Sequence, residues 1–133
     1  MHLRFVLVDA RPTARAALRE VVEEQWGWSV VGDAVDGFEA IRVARNEDAD
    51  VLLVDAAVEG LDLKALFDLV DPVAGPLVVG LLDFPHQHVV AKGVAVLKGA
   101  PPEHMRNVIL GSLEKKKEAS DEARLQLTEE GDR

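Results

Sequence analysis

Short apolar runs rich in valine and leucine recur along the chain. Five of them can be delimited, at residues 4–10, 28–35, 49–56, 77–82 and 94–98. Runs of this length that do not alternate with polar residues are typical of strands that are buried on both faces of a sheet. The pattern therefore predicts five buried strands.

Segments with apolar residues at helical spacing separate or follow these runs. Four such segments cover residues 11–27, 36–48, 63–71 and 100–119. In the first, Pro12 suits the opening turn of a helix and Gly27 suits its end. In the second, Phe38, Ile41 and Ala44 fall on one side, which we expect to face the core. Strands that alternate with helices predict an α/β domain with a parallel sheet and helices on both faces.

The composition narrows the class of protein. At 133 residues, with 48% hydrophobic and 29% charged residues, the chain suits one globular domain. Its net charge of -9 argues against direct binding to nucleic acid, whose phosphates need cationic partners. It has no cysteine, which excludes disulfides and thiolate metal sites. No run approaches the roughly 20 apolar residues of a spanning helix, and no signal peptide is evident, so we expect a cytoplasmic protein without a membrane partner.

The last part of the chain differs in character from the rest. From Glu114 onward the apolar content falls and charges alternate in sign. Such a segment is typical of a solvated helix extension, a linker or a disordered tail. We therefore expect a single domain over residues 1–113 and a charged extension over residues 114–133.

Two of the predicted strands end on the same motif. FVLVDA and VLLVDA place Asp9 and Asp55 at the exits of two buried strands. In a doubly wound sheet with the flavodoxin-like strand order 2-1-3-4-5, ligands bind where the order reverses, between strands 1 and 3. That order would bring Asp9 and Asp55 together and place Lys98, at the end of strand 5, on the same edge. Two carboxylates suit a hard cation such as Mg²⁺, and an ammonium suits a phosphoryl group, so this cluster suits phosphoryl transfer to a carboxylate.

The chain here resembles the receiver domains of bacterial two-component response regulators, in a form common in the NarL-like branch. The resemblance covers about residues 3–113 and rests on RFVLVDARPTAR, DADVLLVDAAVEGLD and VAVLKGAPPEHM, which look like strands 1, 3 and 5 with their flanks. It implies a flavodoxin-like, doubly wound, parallel five-stranded sheet. It also implies that Asp55 is the phosphoacceptor and that Lys98 contacts the phosphoryl group. Asp9, Asp55 and the backbone carbonyl of Ala57 would then be the ligands of Mg²⁺.

The sequence departs from the family pattern at several positions. The second acid after strand 1, which usually binds the metal, is Ala10; the strand-4 hydroxyl falls at Leu82, and the strand-5 aromatic falls at Ala95. Leucine cannot hydrogen-bond a phosphoryl oxygen. The connection from Leu82 to Val94 is short, so the family's fourth helix should be shortened or absent. We therefore expect weak Mg²⁺ binding and impaired phosphoryl binding, and we expect Ala10→Asp to strengthen Mg²⁺ binding.

These residues also have simpler interpretations. Asp9 and Asp55 could only cap the helices that follow them, and Lys98 could be a solvated lysine at a strand end. His86 and His88, in FPHQHVV, suit a solvated loop better than a metal site, because no third ligand stands nearby.

Two functions stay open at this point. The first is an atypical response-regulator receiver domain in a phosphorelay, with a sensor histidine kinase or another regulatory protein as its partner. The second is a phosphorylation-independent pseudo-receiver that acts as a protein-interaction or dimerisation module, with a homodimer formed through the last helix or its neighbouring strand. Neither is an enzyme, because the chain has no second catalytic pair and no glycine-rich phosphate loop.

Overall fold

The computed structural model describes residues 2–83 and 93–131, which form a parallel sheet flanked by helices. Its five strands are β1 (Leu3–Val8), β2 (Trp28–Ala34), β3 (Val51–Asp55), β4 (Leu77–Leu82) and β5 (Val94–Leu97). All neighbouring strands are parallel, in the order β2-β1-β3-β4-β5. The predicted flavodoxin-like, doubly wound α/β fold is confirmed.

Four helices lie in the described part of the chain. They are α1 (Pro12–Glu23), α2 (Gly37–Asn46), α3 (Leu63–Leu69) and α4 (Pro102–Gly131). Pro12 begins α1, as predicted, while Asp36 and Asp62 cap α2 and α3 by accepting hydrogen bonds of 2.9 Å from backbone N–H groups three residues further on. No helix in the described ranges is both long enough and apolar enough to cross a bilayer.

The connection between β4 and β5 is described only at its two ends, Asp83 and Gly93. The prediction that the family's fourth helix is shortened or absent concerns residues 84–92. So does the interpretation of His86 and His88 as loop residues. Both lie outside the described residues and stay predictions.

Two apolar layers cover the sheet because successive strand residues point to opposite faces. Phe5, Leu7 and Leu53 face α1 and α4, and Val6 and Val54 belong to the layer that packs with α2 and α3. All of them are essentially inaccessible to solvent. The central strands are thus buried on both faces, as their unbroken apolar sequences predict.

The prediction that Phe38 faces the core is wrong. Its side chain is 63% exposed, whereas Ala40 and Ala44 are buried. The buried stripe of α2 is centred on these small residues, because the helix lies close to the sheet. Phe38 instead lies beside Gly60, in the connection between β3 and α3.

Helix α4 continues past the body of the domain. Met105 and Ile109 pack in the core, and Lys116 donates hydrogen bonds to backbone carbonyls of the connection between α3 and β4. Beyond Lys116, the side chains described through Leu127 are exposed, except that of the half-buried Ser120. The charged segment expected after the domain therefore continues the same helix.

Candidate functional site

The carboxyl edge of the sheet brings together the residues that the sequence singles out. Asp9 directly follows β1, Asp55 is the last residue of β3, and Lys98 directly follows β5. The side chains of Asp9 and Asp55 are only 10% and 5% exposed. Buried carboxylates are costly unless hydrogen bonds and cations compensate them. The partners of these two carboxylates therefore decide what the site can do.

Arg11 joins the two carboxylates. Its Nη2 lies 3.0 Å from Oδ2 of Asp9 and 2.9 Å from Oδ2 of Asp55. Its Nε and its backbone N–H donate to Oδ1 of Asp9 at 3.1 and 2.9 Å. Nε and Nη2 of the guanidinium therefore both donate to Asp9, and Nη2 also donates to Asp55. The planar guanidinium of arginine is well suited to this two-nitrogen contact with a carboxylate.

The local backbone explains how Arg11 reaches the site. Helix α1 begins at Pro12, so Arg11 occupies the position just before it, in an extended conformation with φ -94° and ψ 117°. The chain has just left β1, and Asp9 stands two residues earlier. The Arg11 side chain is still 60% exposed, so the guanidinium covers the carboxylates from the solvent side.

Asp55 has partners on both of its oxygens. Oδ1 accepts a hydrogen bond of 2.8 Å from the backbone N–H of Ala57. Oδ2 accepts from Arg11 and also contacts Nζ of Lys98. Lys98 in turn lies 2.8 Å from Oδ1 of Asp83, the first residue after β4. Three carboxylates and two cations thus form one chain of ion pairs along the sheet edge.

These contacts shift two pKa values in opposite directions. Burial alone would raise the pKa of Asp9, but hydrogen bonds from the side chain and backbone of Arg11 outweigh it and hold that pKa below the usual 3.8. Burial alone would lower the pKa of Lys98, but its contacts with Asp55 and Asp83 outweigh it and raise that pKa above 10.5. Both groups are therefore charged at neutral pH.

The described side chains do not by themselves form a site for a divalent metal ion. Within residues 2–83 and 93–131, no group of three or more histidine, aspartate and glutamate side chains is placed to hold one. Asp9 and Asp55 share a guanidinium instead. Ala10 offers no side-chain ligand, and Ala57 is exposed, with its N–H bonded to Asp55. The predicted ligand set of Asp9, Asp55 and the Ala57 carbonyl stays a prediction.

The positions predicted to be degenerate are all near this edge. Leu82 ends β4, and its carbonyl accepts the N–H of Lys98 at 2.8 Å. Its neighbour Leu81 pairs in register with Asp55 and lines a cavity of about 320 Å³ together with Asp9, Arg11 and Lys98. Both positions are leucine, so neither offers a hydroxyl to this site. Ala95, in β5, pairs in register with Gly80 and is half-buried.

Sequence reasoning missed Arg11 and Asp83. It placed Lys98 and a metal ion as the compensating cations and did not consider an arginine two residues after Asp9. A signal for Arg11 was available, because two buried carboxylates need more positive charge than one partly exposed lysine supplies. Asp83 carried no such signal, because its contact with Lys98 depends on the pairing of β4 with β5.

Comparison with known proteins gives several similar sequences. No protein-family model matches the chain. The chain is 31% identical over 83 residues to the transcriptional regulatory protein LiaR of Bacillus subtilis, a match that covers 62% of the chain and 39% of LiaR. It is 29% identical over 114 residues to the response regulator UvrY of Escherichia coli, covering 80% of the chain and 52% of UvrY. The chain spans about half the length, or less, of these curated relatives.

The fold has close counterparts among solved structures. The response regulator ChrA of a heme-sensing two-component system superposes with a TM-score of 0.67 at 25% identity, over 85% of this chain and 57% of ChrA. A two-component response regulator of the LuxR family from Aurantimonas gives a TM-score of 0.70 at 21% identity, over 94% of this chain and 99% of that one. In strand order, in the acid that ends β3 and in sequence, the chain is thus similar to the receiver domains of bacterial two-component response regulators.

Proposed function

We propose that this chain is an atypical receiver domain of two-component signalling, in which Asp55 stands at the phosphoacceptor position but accepts and retains a phosphoryl group poorly. The contacts of the Asp55 carboxylate are the observation that supports this proposal most directly. Its Oδ1 accepts from Ala57, and its Oδ2 contacts both Arg11 and Lys98. A carboxylate oxygen must attack phosphorus to form the acyl phosphate, so Asp55 would first have to give up ion pairs.

A phosphoryl group on Asp55 would also find few of the usual partners. Transfer is catalysed by donors and cations that are arranged where charge develops. Leu81 and Leu82 supply no hydroxyl, and Ala10 supplies no metal ligand. Any Mg²⁺ binding should accordingly be weak. Lys98 is the phosphoryl contact that we expect to persist, and it is already paired with Asp55 and Asp83.

The proposal includes the setting of the domain. We place it in the cytoplasm, with a sensor histidine kinase or another regulatory protein as its partner and with a homodimer as its assembly. The domain itself catalyses no reaction on a separate substrate. Its acidic charge of -9 supports protein partners rather than direct binding to nucleic acid.

Chemical phosphorylation tests the proposal. The full chain is incubated with acetyl phosphate and Mg²⁺, and the mass of the intact protein is measured. We expect little addition of a phosphoryl group, with Asp55→Ala as the background and a receiver that has both acids and the strand-4 hydroxyl as the positive control. Stoichiometric addition that depends on Asp55 would contradict the proposal.

A phosphorylation-independent interaction module is the second candidate, and one observation favours it. Receivers of the usual kind are expected to relay phosphorylation through an aromatic residue on strand 5. Here Ala95 stands there, next to Gly80 of β4. Two such small neighbours offer no bulky group to move between two positions, and a ligand shifts an equilibrium only through contacts that differ between two states. Binding of a partner with equal affinity to wild type and Asp55→Ala would support this candidate.

A further inference from the structure

We infer that Arg11 is a built-in counterion of the acidic pocket: its guanidinium takes the place of a divalent metal ion between Asp9 and Asp55 and keeps such ions out. The inference deepens the proposed function, on which it rests in assigning this pocket to a receiver. It names the cation on which the site depends and explains why the residues do not fit a metal.

The first step concerns charge. Asp9 and Asp55 are buried at the ends of adjacent strands, where two carboxylates disfavour each other unless a cation lies between them. Nη2 of Arg11 is within 3.0 Å of Oδ2 of both residues. One nitrogen thus bridges the two carboxylates, which is the part that a metal ion would otherwise take.

The second step concerns the oxygens that remain. Mg²⁺ requires ligands at about 2.0–2.1 Å in nearly octahedral geometry. Both oxygens of Asp9 accept from Arg11, and the oxygens of Asp55 are taken by Ala57, Arg11 and Lys98. A metal ion would have to displace the guanidinium, which repels it, and Ala10 offers no carboxylate in return.

A neighbouring arginine supplies a matched control. Arg15, on α1, donates to the backbone carbonyl of Asp9 at 2.6 Å, and its Nε lies 3.5 Å from Asp33. It carries the same charge at a similar place. Its hydrogen bonds and ion pair nevertheless go to that carbonyl and to Asp33, not to the carboxylates of Asp9 and Asp55. Arg15→Ala therefore removes a positive charge near the pocket without opening it.

The experiment is a calorimetric titration of the full chain with Mg²⁺. The proteins are wild type, Arg11→Ala, Ala10→Asp, the double variant and Arg15→Ala, each checked for native secondary structure by circular dichroism. Wild type and Arg15→Ala should show no binding at micromolar Mg²⁺. Ala10→Asp alone should strengthen binding less than the sequence alone predicts, because Arg11 still lies between the carboxylates. The double variant should bind at least about tenfold more tightly than Ala10→Asp, because a guanidinium no longer opposes a divalent charge a few ångströms away.

Two results would overturn the inference. One is micromolar binding of Mg²⁺ to wild type, and the other is equal affinity in Ala10→Asp and in the double variant. If the Arg11 variants fail to fold, the inference is tested by thermal unfolding of the wild-type protein. Millimolar Mg²⁺ should then give the same melting temperature as Na⁺ of equal ionic strength, and a specific rise would refute the exclusion of metal. Phosphorylation of Asp55 without Mg²⁺ would contradict the proposed function and yet leave this role of Arg11 standing, so the two failures can be told apart.

Discussion

Asp55→Asn tests most directly what the ion pairs of the pocket contribute. Asparagine has nearly the same volume as aspartate, and its carbonyl oxygen can still accept the hydrogen bond from Ala57. Its amide would turn N–H donors toward Arg11 and Lys98, where the carboxylate now accepts. The variant thus replaces two charge-assisted contacts by donors that face cations.

The magnitude follows from how exposed the partners are. Breaking a buried ion pair by removing one partner costs about 3–5 kcal/mol, because the other charge stays buried. Here the cations left behind, Arg11 and Lys98, are 60% and 29% exposed and regain hydration. We therefore expect the free energy of unfolding to fall by about 2–3 kcal/mol, which for a chain of this size lowers Tm by roughly 6–12 °C.

Urea unfolding, followed by tryptophan fluorescence, measures the loss. Asp62→Asn is the matched control, since Asp62 is an exposed helix cap at which asparagine is about as effective as aspartate. A variant Asp55→Asn as stable as wild type, or more stable, would refute the reasoning. It would mean that repulsion between Asp9 and Asp55 outweighs the attraction of the cations. In an Arg11→Ala background the loss should be smaller, because one of the two contacts is already gone.

Three further predictions concern other parts of the structure. Because the folded-state pKa of Asp9 lies below 3.8, its contribution to stability is present above the unfolded pKa and is lost as pH falls through the folded value; Asp9→Asn should flatten the acid side of the stability profile in urea unfolding, and an unchanged profile would contradict this. The oligomeric state measured by light scattering should be the same for wild type and Asp55→Ala, with or without beryllofluoride. A dimer that forms only with beryllofluoride would contradict this and indicate a switch that depends on phosphorylation. Gly37→Ala should strongly destabilise the domain, because a Cβ there would lie 1.7 Å from the carbonyl oxygen of Leu61. Gly111→Ala, with open space around it, should stabilise α4 by up to about 1 kcal/mol. Melting temperatures of the two variants equal to that of wild type would contradict both predictions.

The sequence predicts the sheet well because each strand carries its own signal. The unbroken apolar run that ends on Asp55 marks a strand buried on both faces, and Val51–Val54 are all fully buried. Strand order then determines which strand ends meet, so the sequence alone places Asp9, Asp55 and Lys98 on one edge of the sheet. These predictions succeed because they depend only on the local pattern of apolar residues and on the small number of strand orders that an α/β sheet adopts.

The predictions that failed or were missing depend on contacts between distant elements. Arg11 reaches Asp55 only because β3 lies next to β1, and nothing in the sequence around residue 11 states that distance. Phe38 is outward because small alanines bring α2 close to the sheet, a choice that helical spacing alone does not determine. The sequence does not determine that the charged segment is helical, since a solvated helix and a disordered tail share a composition.

The length of α4 turns small motions of the domain into large ones at a distance. Residues 117–131 rise about 22 Å beyond Lys116, whose side chain donates hydrogen bonds to the connection between α3 and β4. A rotation of the helix by about 5° at Lys116 would carry its far end sideways by about 2 Å, with no change in the helix itself. A shift in the packing of Met105 or Ile109 that tilted the helix would therefore produce a larger displacement at its far end than in the core.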